Sequence, residues 1–120
     1  MRLLIILILI IITTTVFAQK KQLVESKEEV ETLAAKEFDL AMSPPEGELY
    51  LFGVENNIKG EYSFKITLGD KGKVVSVFAK GNEGGDIPSQ NKVKDAVKDF
   101  RFNFKLPKDK NFILHYIFKF

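Results

Sequence analysis

The 120-residue chain has no cysteine and no tryptophan, one histidine and four prolines. Each shortage excludes something. Without cysteine there is no disulfide, no thiolate nucleophile, no cysteine-ligated metal and no site for a lipid anchor. The lone histidine, His115, has no second imidazole to share a metal with. A triad built on it would need a serine or threonine nucleophile from a neighbouring element. Four prolines leave no proline-rich arm. The stretch Gly81 to Asp86 is rich in glycine, yet it is acidic and lacks the lysine and serine of a phosphate-binding loop. A protein with no catalytic residues, no cofactor and no metal is expected.

What is plentiful is phenylalanine, with 11 copies. Most lie beyond position 60, so phenylalanine and β-branched residues must build the core. Charge is unevenly spread. Lys21 to Glu61 carries ten acids against four lysines, and Tyr62 to Phe120 carries six acids against twelve basic residues. Either the two halves attract each other within one fold, or the C-terminal half presents a basic surface that steers an acidic partner.

The N-terminus reads as a secretory signal. Arg2 supplies the positive start, and Leu3 to Ile12 is an unbroken apolar run. A run of about ten residues has the length of a signal core and is short for a membrane span. Val16-Phe17-Ala18 offers a cleavage point after Ala18. The competing reading is an uncleaved anchor in which Thr13 to Phe17 extend the apolar stretch and Lys20-Lys21 sit at the far interface. Cleavage implies a signal over residues 1–18 and one domain over 19–120, periplasmic or secreted and with no stable membrane insertion. Mass spectrometry of the exported protein is expected to show a start at Gln19, and recovery of an intact Met1 form from membranes would contradict it.

Gln19 to Glu25 is polar and reads as loose. Ser26-Lys27-Glu28-Glu29 has the spacing of a capping box. Val30, Leu33, Ala34, Phe38 and Ala41 then form one helical stripe, ended by Ser43-Pro44-Pro45. Glu48 to Val54 reads as a short strand. Tyr62, Phe64, Ile66 and Leu68 alternate with polar residues in a half-buried strand. Gly69-Asp70-Lys71-Gly72 is a turn, with glycines supplying positive φ. Val74 to Ala79 returns, apolar on both faces, as a central strand would be. Gly81 to Asp86 is a flexible loop. Pro88 and Ser89 open a second helix that buries Val93, Ala96, Val97 and Phe100. Phe102, Phe104 and Leu106 continue at period two. The last strand buries Phe112, Leu114, Tyr116, Phe118 and Phe120 and turns Ile113, His115, Ile117 and Lys119 the other way. This order gives an α+β fold in two layers, with two helices on one face of a three- to four-stranded antiparallel sheet.

From Tyr62 onward the chain resembles the C-terminal domain of TonB-type energy transducers. The resemblance rests on Phe64-Lys65-Ile66-Thr67-Leu68, Asp70-Lys71-Gly72-Lys73-Val74-Val75-Ser76-Val77, Lys80-Gly81-Asn82, Ala96-Val97-Lys98-Asp99-Phe100-Arg101-Phe102 and the strand from Asn111 to Phe120. The family's Tyr-Pro pair ahead of the first strand is missing. The resemblance implies a free-standing protein-binding module whose partner is an envelope or outer-membrane protein. A PepSY-like or cystatin-like module, acting as a secreted inhibitor or a binder of small ligands, fits the same order of elements.

Other candidates carry less. Glu28, Glu29 and Glu31 diverge around a helix and suit a solvated first turn near the positive end of the helix dipole. Phe100, Phe102 and Phe104, interleaved with Arg101 and Lys105, have the composition of a base-stacking surface, but period-two spacing and export favour core packing and exclude nucleic acid. The final strand is the functional candidate. At a sheet edge it would accept a strand from another chain through Ile113, His115, Ile117 and Lys119, whereas at the centre it would be core alone.

Overall fold

The computed structural model describes residues 21–120. The expected signal segment and its cleavage point lie outside the described residues.

The first helix forms where the capping box sits. Ser26 Oγ accepts the Glu29 N–H at 3.4 Å, and helix α1 runs Lys27–Ala41. Val30, Ala34, Phe38 and Ala41 are buried at helical spacing, with Leu33 half-buried beside them. The helix ends at Met42, ahead of the paired prolines, whose missing donors could not extend it.

The segment expected to be a short strand is instead helix α2, Glu48–Glu55. Leu49-Tyr50-Leu51-Phe52 is strand-compatible by composition, but burial falls on Leu49 and Gly53, with Phe52 partly covered. That is the i, i+3, i+4 spacing of a helix face. Leu51 and Val54 face outward. Gly53 lies against the Phe120 ring, where a Cβ would stand 2.5 Å from a ring carbon.

Strand β2, Glu61–Leu68, buries Tyr62, Phe64, Ile66 and Leu68 as the alternation requires. A 3₁₀ turn, Asp70–Gly72, leads into β3, Val74–Glu83. The positive φ values fall on Lys71 and Gly72 (60° and 69°), while Gly69 is extended at −118°. At Gly72 a Cβ would meet the Phe104 carbonyl oxygen at 2.3 Å, so glycine is needed both for φ and for space.

β3 is not central. The sheet order is β3-β2-β5, with β5 spanning Phe112–Lys119, and both pairings are antiparallel. The two-sided apolar character of β3 has another origin. Its register against β2 shifts twice, passing over Val75 and Lys80, so inward and outward positions change phase along the strand. β3 also continues through Gly81-Asn82-Glu83, which pair with Ser63, Tyr62 and Glu61. The expected flexible loop therefore shrinks to the residues between Glu83 and the next helix.

Helix α3, Ile87–Asp99, is capped by Asp86, whose carboxylate accepts the Ser89 N–H at 2.7 Å. That bond holds the Asp86 carboxyl below its ordinary pKa. Val93 and Val97 are buried, and α3 packs against β3. Strand β4, Phe104–Lys105, pairs in parallel with β1, Gln22–Leu23. The described part of the segment expected to be loose, from Lys21 on, is thus tied down. Val24 N–H donates to the Lys105 carbonyl at 2.9 Å, and the Val24 side chain is fully buried.

Among the described residues the fold is α+β: three helices, a three-stranded antiparallel sheet and a small parallel pair. Phe38 is the hub of its core. Its ring centroid lies 5.0 Å from those of Phe100, Phe102, Tyr116 and Phe118. Phe100, Phe102 and Phe104 are all buried, so none is free to stack on a base. α1 is further joined to β5 by the Tyr116 hydroxyl, which donates to the Asp39 carboxylate. Burial, then that bond and the Asp39 charge, push the Tyr116 phenol well above its ordinary pKa, so it remains a donor. Tyr116→Phe keeps the ring and loses the bond. It is expected to lower stability by about 1 kcal/mol, read as a shift of the urea midpoint with an unchanged slope.

Candidate functional site

β5 forms an outer edge of the sheet. Its outward positions are the four that alternation singled out. Ile113 and Ile117 are 42% and 50% exposed, and His115 and Lys119 are exposed beside them. Leu114 and Phe118 are buried on the opposite face.

The ladder also fixes which backbone groups point outward. Phe120 N–H donates to the Gly60 carbonyl at 2.9 Å, one step beyond the Glu61–Lys119 pair. In an antiparallel ladder the residues that exchange both bonds alternate with those that exchange none. Phe112, Leu114, Tyr116 and Phe118 therefore bond inward to Leu68, Ile66, Phe64 and Tyr62. Gly69 N–H agrees: odd-numbered in the β2 phase, it turns the other way and donates to Lys73 on the β3 side at 2.9 Å. The N–H and C=O groups of Ile113, His115, Ile117 and Lys119 consequently face the open edge. Among the described residues no strand pairs with that edge.

The two outer edges of the sheet differ. β3 is interrupted by its two register shifts and carries Lys80 at one of them. Bulges and lysines are what proteins use to discourage edge pairing. β5 keeps one unbroken register against β2 from Lys119 to Phe112 and has a single lysine at its end. It is the regular, undefended edge.

The exposed sheet face adds residues that periodicity did not single out. Lys65 of β2 stands between Phe78 of β3 and His115 of β5 in one cross-strand row. Phe78 is 66% exposed. The Lys80 side chain reaches across to His115, its Nζ 3.2 Å from Nδ1. A lysine ammonium only donates, so in this contact Nδ1 is the acceptor. His115 thus has a lysine for its partner, not a nucleophile or a carboxylate. Lys119 lies 3.9 Å from Glu61 in an exposed pair of little energetic weight. The sequence signal for Lys65 was its polar-face position in β2. Phe78 was hidden because its strand looked apolar on both sides.

Several grooves lie beside β5, and one of about 340 Å³ on the open sheet face is lined by residues that include Glu61, Lys80, Glu83 and Ile117. Another of about 320 Å³ lies between the end of α1 and β5, lined by Asp39, Met42, Tyr116, Ile117 and Lys119. A larger one of about 470 Å³ lies against α2, lined by residues that include Met42, Tyr50, Val54 and Phe120. Glu28, Glu29 and Glu31 are exposed, and no group of three His, Cys, Asp or Glu among the described residues is placed to hold a metal. No helix among them is long and apolar enough to cross a membrane. Comparison with family models, with curated proteins and with solved structures returns no match.

Proposed function

We propose that the chain is a small exported, non-enzymatic protein-binding module of the TonB C-terminal type. It receives a strand from an envelope or outer-membrane protein along β5. In this reading the helices form one layer on the buried face of the sheet, and the mature domain acts in the periplasm or outside the cell. The observation that supports it is the edge itself: eight residues in unbroken register, with alternate backbone groups facing outward. Main-chain hydrogen bonds give strand addition its affinity, so the site needs no catalytic side chain.

A second reading, a secreted inhibitor or a binder of small ligands, draws on the groove against α2. Pockets of about 300–1,000 Å³ suit small ligands, and this groove falls in that range. Capture from envelope extract with the intact domain separates the two. Recovery of an outer-membrane transporter or a related envelope protein, lost when His115 is replaced by proline, supports strand addition. Recovery of a hydrolase, unaffected by that substitution, supports the second reading and removes the first.

A further inference from the structure

The open face beside β5 has a pattern along the strand. Ile113, His115 and Ile117 stand two residues apart, apolar, basic, apolar. The central position is reinforced from both other strands: Lys65 lies directly across from His115, and the Lys80 ammonium is 3.2 Å from its ring. Among the described residues neither Lys65 nor Lys80 forms an ion pair, and the one recorded pair on this sheet joins Glu61 to Lys119. Lys80 therefore brings an ammonium group to the middle of this edge, with Lys65 in the same cross-strand row, while the carboxylates of this face, Glu61 and Glu83, line the groove beside Lys80 and Ile117 toward the Lys119 end.

Resting on the strand-addition reading, we infer that the strand received by β5 carries an acidic residue opposite His115, flanked two positions away on each side by apolar, β-branched residues. The geometry follows from the ladder. Against an antiparallel added strand, the outward groups of Ile113, His115 and Ile117 exchange hydrogen bonds with the residues directly opposite them, and directly opposed side chains share one face. On that face an aspartate or glutamate comes within reach of Lys80 and Lys65, while valine or isoleucine covers the exposed flanks of Ile113 and Ile117. The intervening residues of the added strand turn to the other face, toward the groove beside Asp39 and Met42.

A second copy of the same chain fits poorly. Antiparallel pairing of β5 with itself about His115 would bring both sets of Lys65 and Lys80 together across the seam. Like charges directly opposed across a strand pair are destabilising. The charge pattern selects a different, acidic-centred partner.

The test uses peptides and the intact domain labelled with ¹⁵N. Three peptides of about seven residues, a typical strand length, share Thr-Val-Thr-X-Thr-Val-Thr, with X aspartate, asparagine or lysine. The aspartate peptide is expected to shift the amide signals of Ile113, His115 and Ile117 and to bind about tenfold more tightly than the lysine peptide, because attraction to two exposed ammonium groups turns into repulsion. Asparagine should fall between. The exposed double substitution Lys65→Glu with Lys80→Glu, its fold checked by circular dichroism, should reverse the ranking.

Equal binding of all three peptides at these amides would overturn the acidic-centre inference and leave strand addition standing. A ranking that survives the double substitution would overturn it too. No shift at these amides with any peptide, joined to capture of the partner that ignores His115→Pro, would remove both. Concentration-dependent self-pairing at these amides, or sedimentation with anionic vesicles in place of peptide binding, would assign the face to a second copy or to a lipid surface and overturn the inference.

Discussion

Replacing Phe38 by alanine is expected to cost about 3–5 kcal/mol of folding stability, the range for a large buried aromatic. The ring is fully buried and touches four others at 5.0 Å, from the chain after α3 on one side and from β5 on the other. The loss should also loosen α1 from β5, since Phe38 and the Asp39–Tyr116 bond lie side by side on that contact. Thr67→Ala, on the open face of β2, should stay within about 0.5 kcal/mol. Urea denaturation of both variants checks the pair. Coincident midpoints would mean that the buried and open faces of the sheet have been interchanged.

The second large effect concerns binding. His115→Pro removes an outward N–H and leaves the inward donors of Leu114 and Tyr116 in place. The residue before a proline is pushed toward extended conformations, which Leu114 already has within β5. The variant should fold. A carbonyl of the partner strand is then left unsatisfied, facing a ring where a donor stood. A buried acceptor left unpaired costs about 1–3 kcal/mol, so affinity should fall by about tenfold to a hundredfold. His115→Ala keeps the N–H and both lysines and should bind within about threefold of the parent. Tyr116→Pro instead breaks a ladder bond to Phe64 and deletes a packed ring, and is expected to lose the fold. Circular dichroism and capture of the partner by the three variants read these outcomes. Full binding by a folded His115→Pro protein would remove β5 from the interface.

Much of this architecture is legible in local patterns. The capping box at Ser26 and the period of Val30, Ala34, Phe38 and Ala41 specify α1 almost to the residue. Strict alternation specifies β2 and β5, including which face each side chain takes. Where the pattern fails, it fails for physical reasons. In Leu49-Tyr50-Leu51-Phe52 every residue is apolar or aromatic, and a continuous apolar run carries no period to read. Packing of Leu49 and Gly53 decided for helix. β3 looked central because its exposed side carries Val75 and Phe78 and the bulge at Val75 sets the buried Val74 and Val77 three positions apart, which breaks the period of two. β1 and β4 are two residues each, too short for any period, and exist only because the chain near Val24 meets the chain near Lys105.

The candidate site divides in the same way. The side-chain set Ile113, His115, Ile117 and Lys119 follows from alternation. That β5 lies at an edge does not, because strand order depends on contacts between residues about fifty positions apart, such as Lys65 with His115. The outward direction of the backbone follows from neither side-chain pattern nor composition. It became visible through the Phe120–Gly60 and Gly69–Lys73 hydrogen bonds.

Amide hydrogen exchange, read residue by residue by NMR, tests the open edge most directly. In the free domain the amides of Ile113, His115 and Ile117 should exchange orders of magnitude faster than those of Leu114, Tyr116 and Phe118, because only the latter are bonded to β2. On addition of the captured partner the fast set should become protected, with the slow set little changed. Fast exchange at Leu114 and Tyr116 with protection at His115 in the free domain would contradict the ladder phase. Unchanged fast exchange at Ile113, His115 and Ile117 in the complex would contradict strand addition at β5.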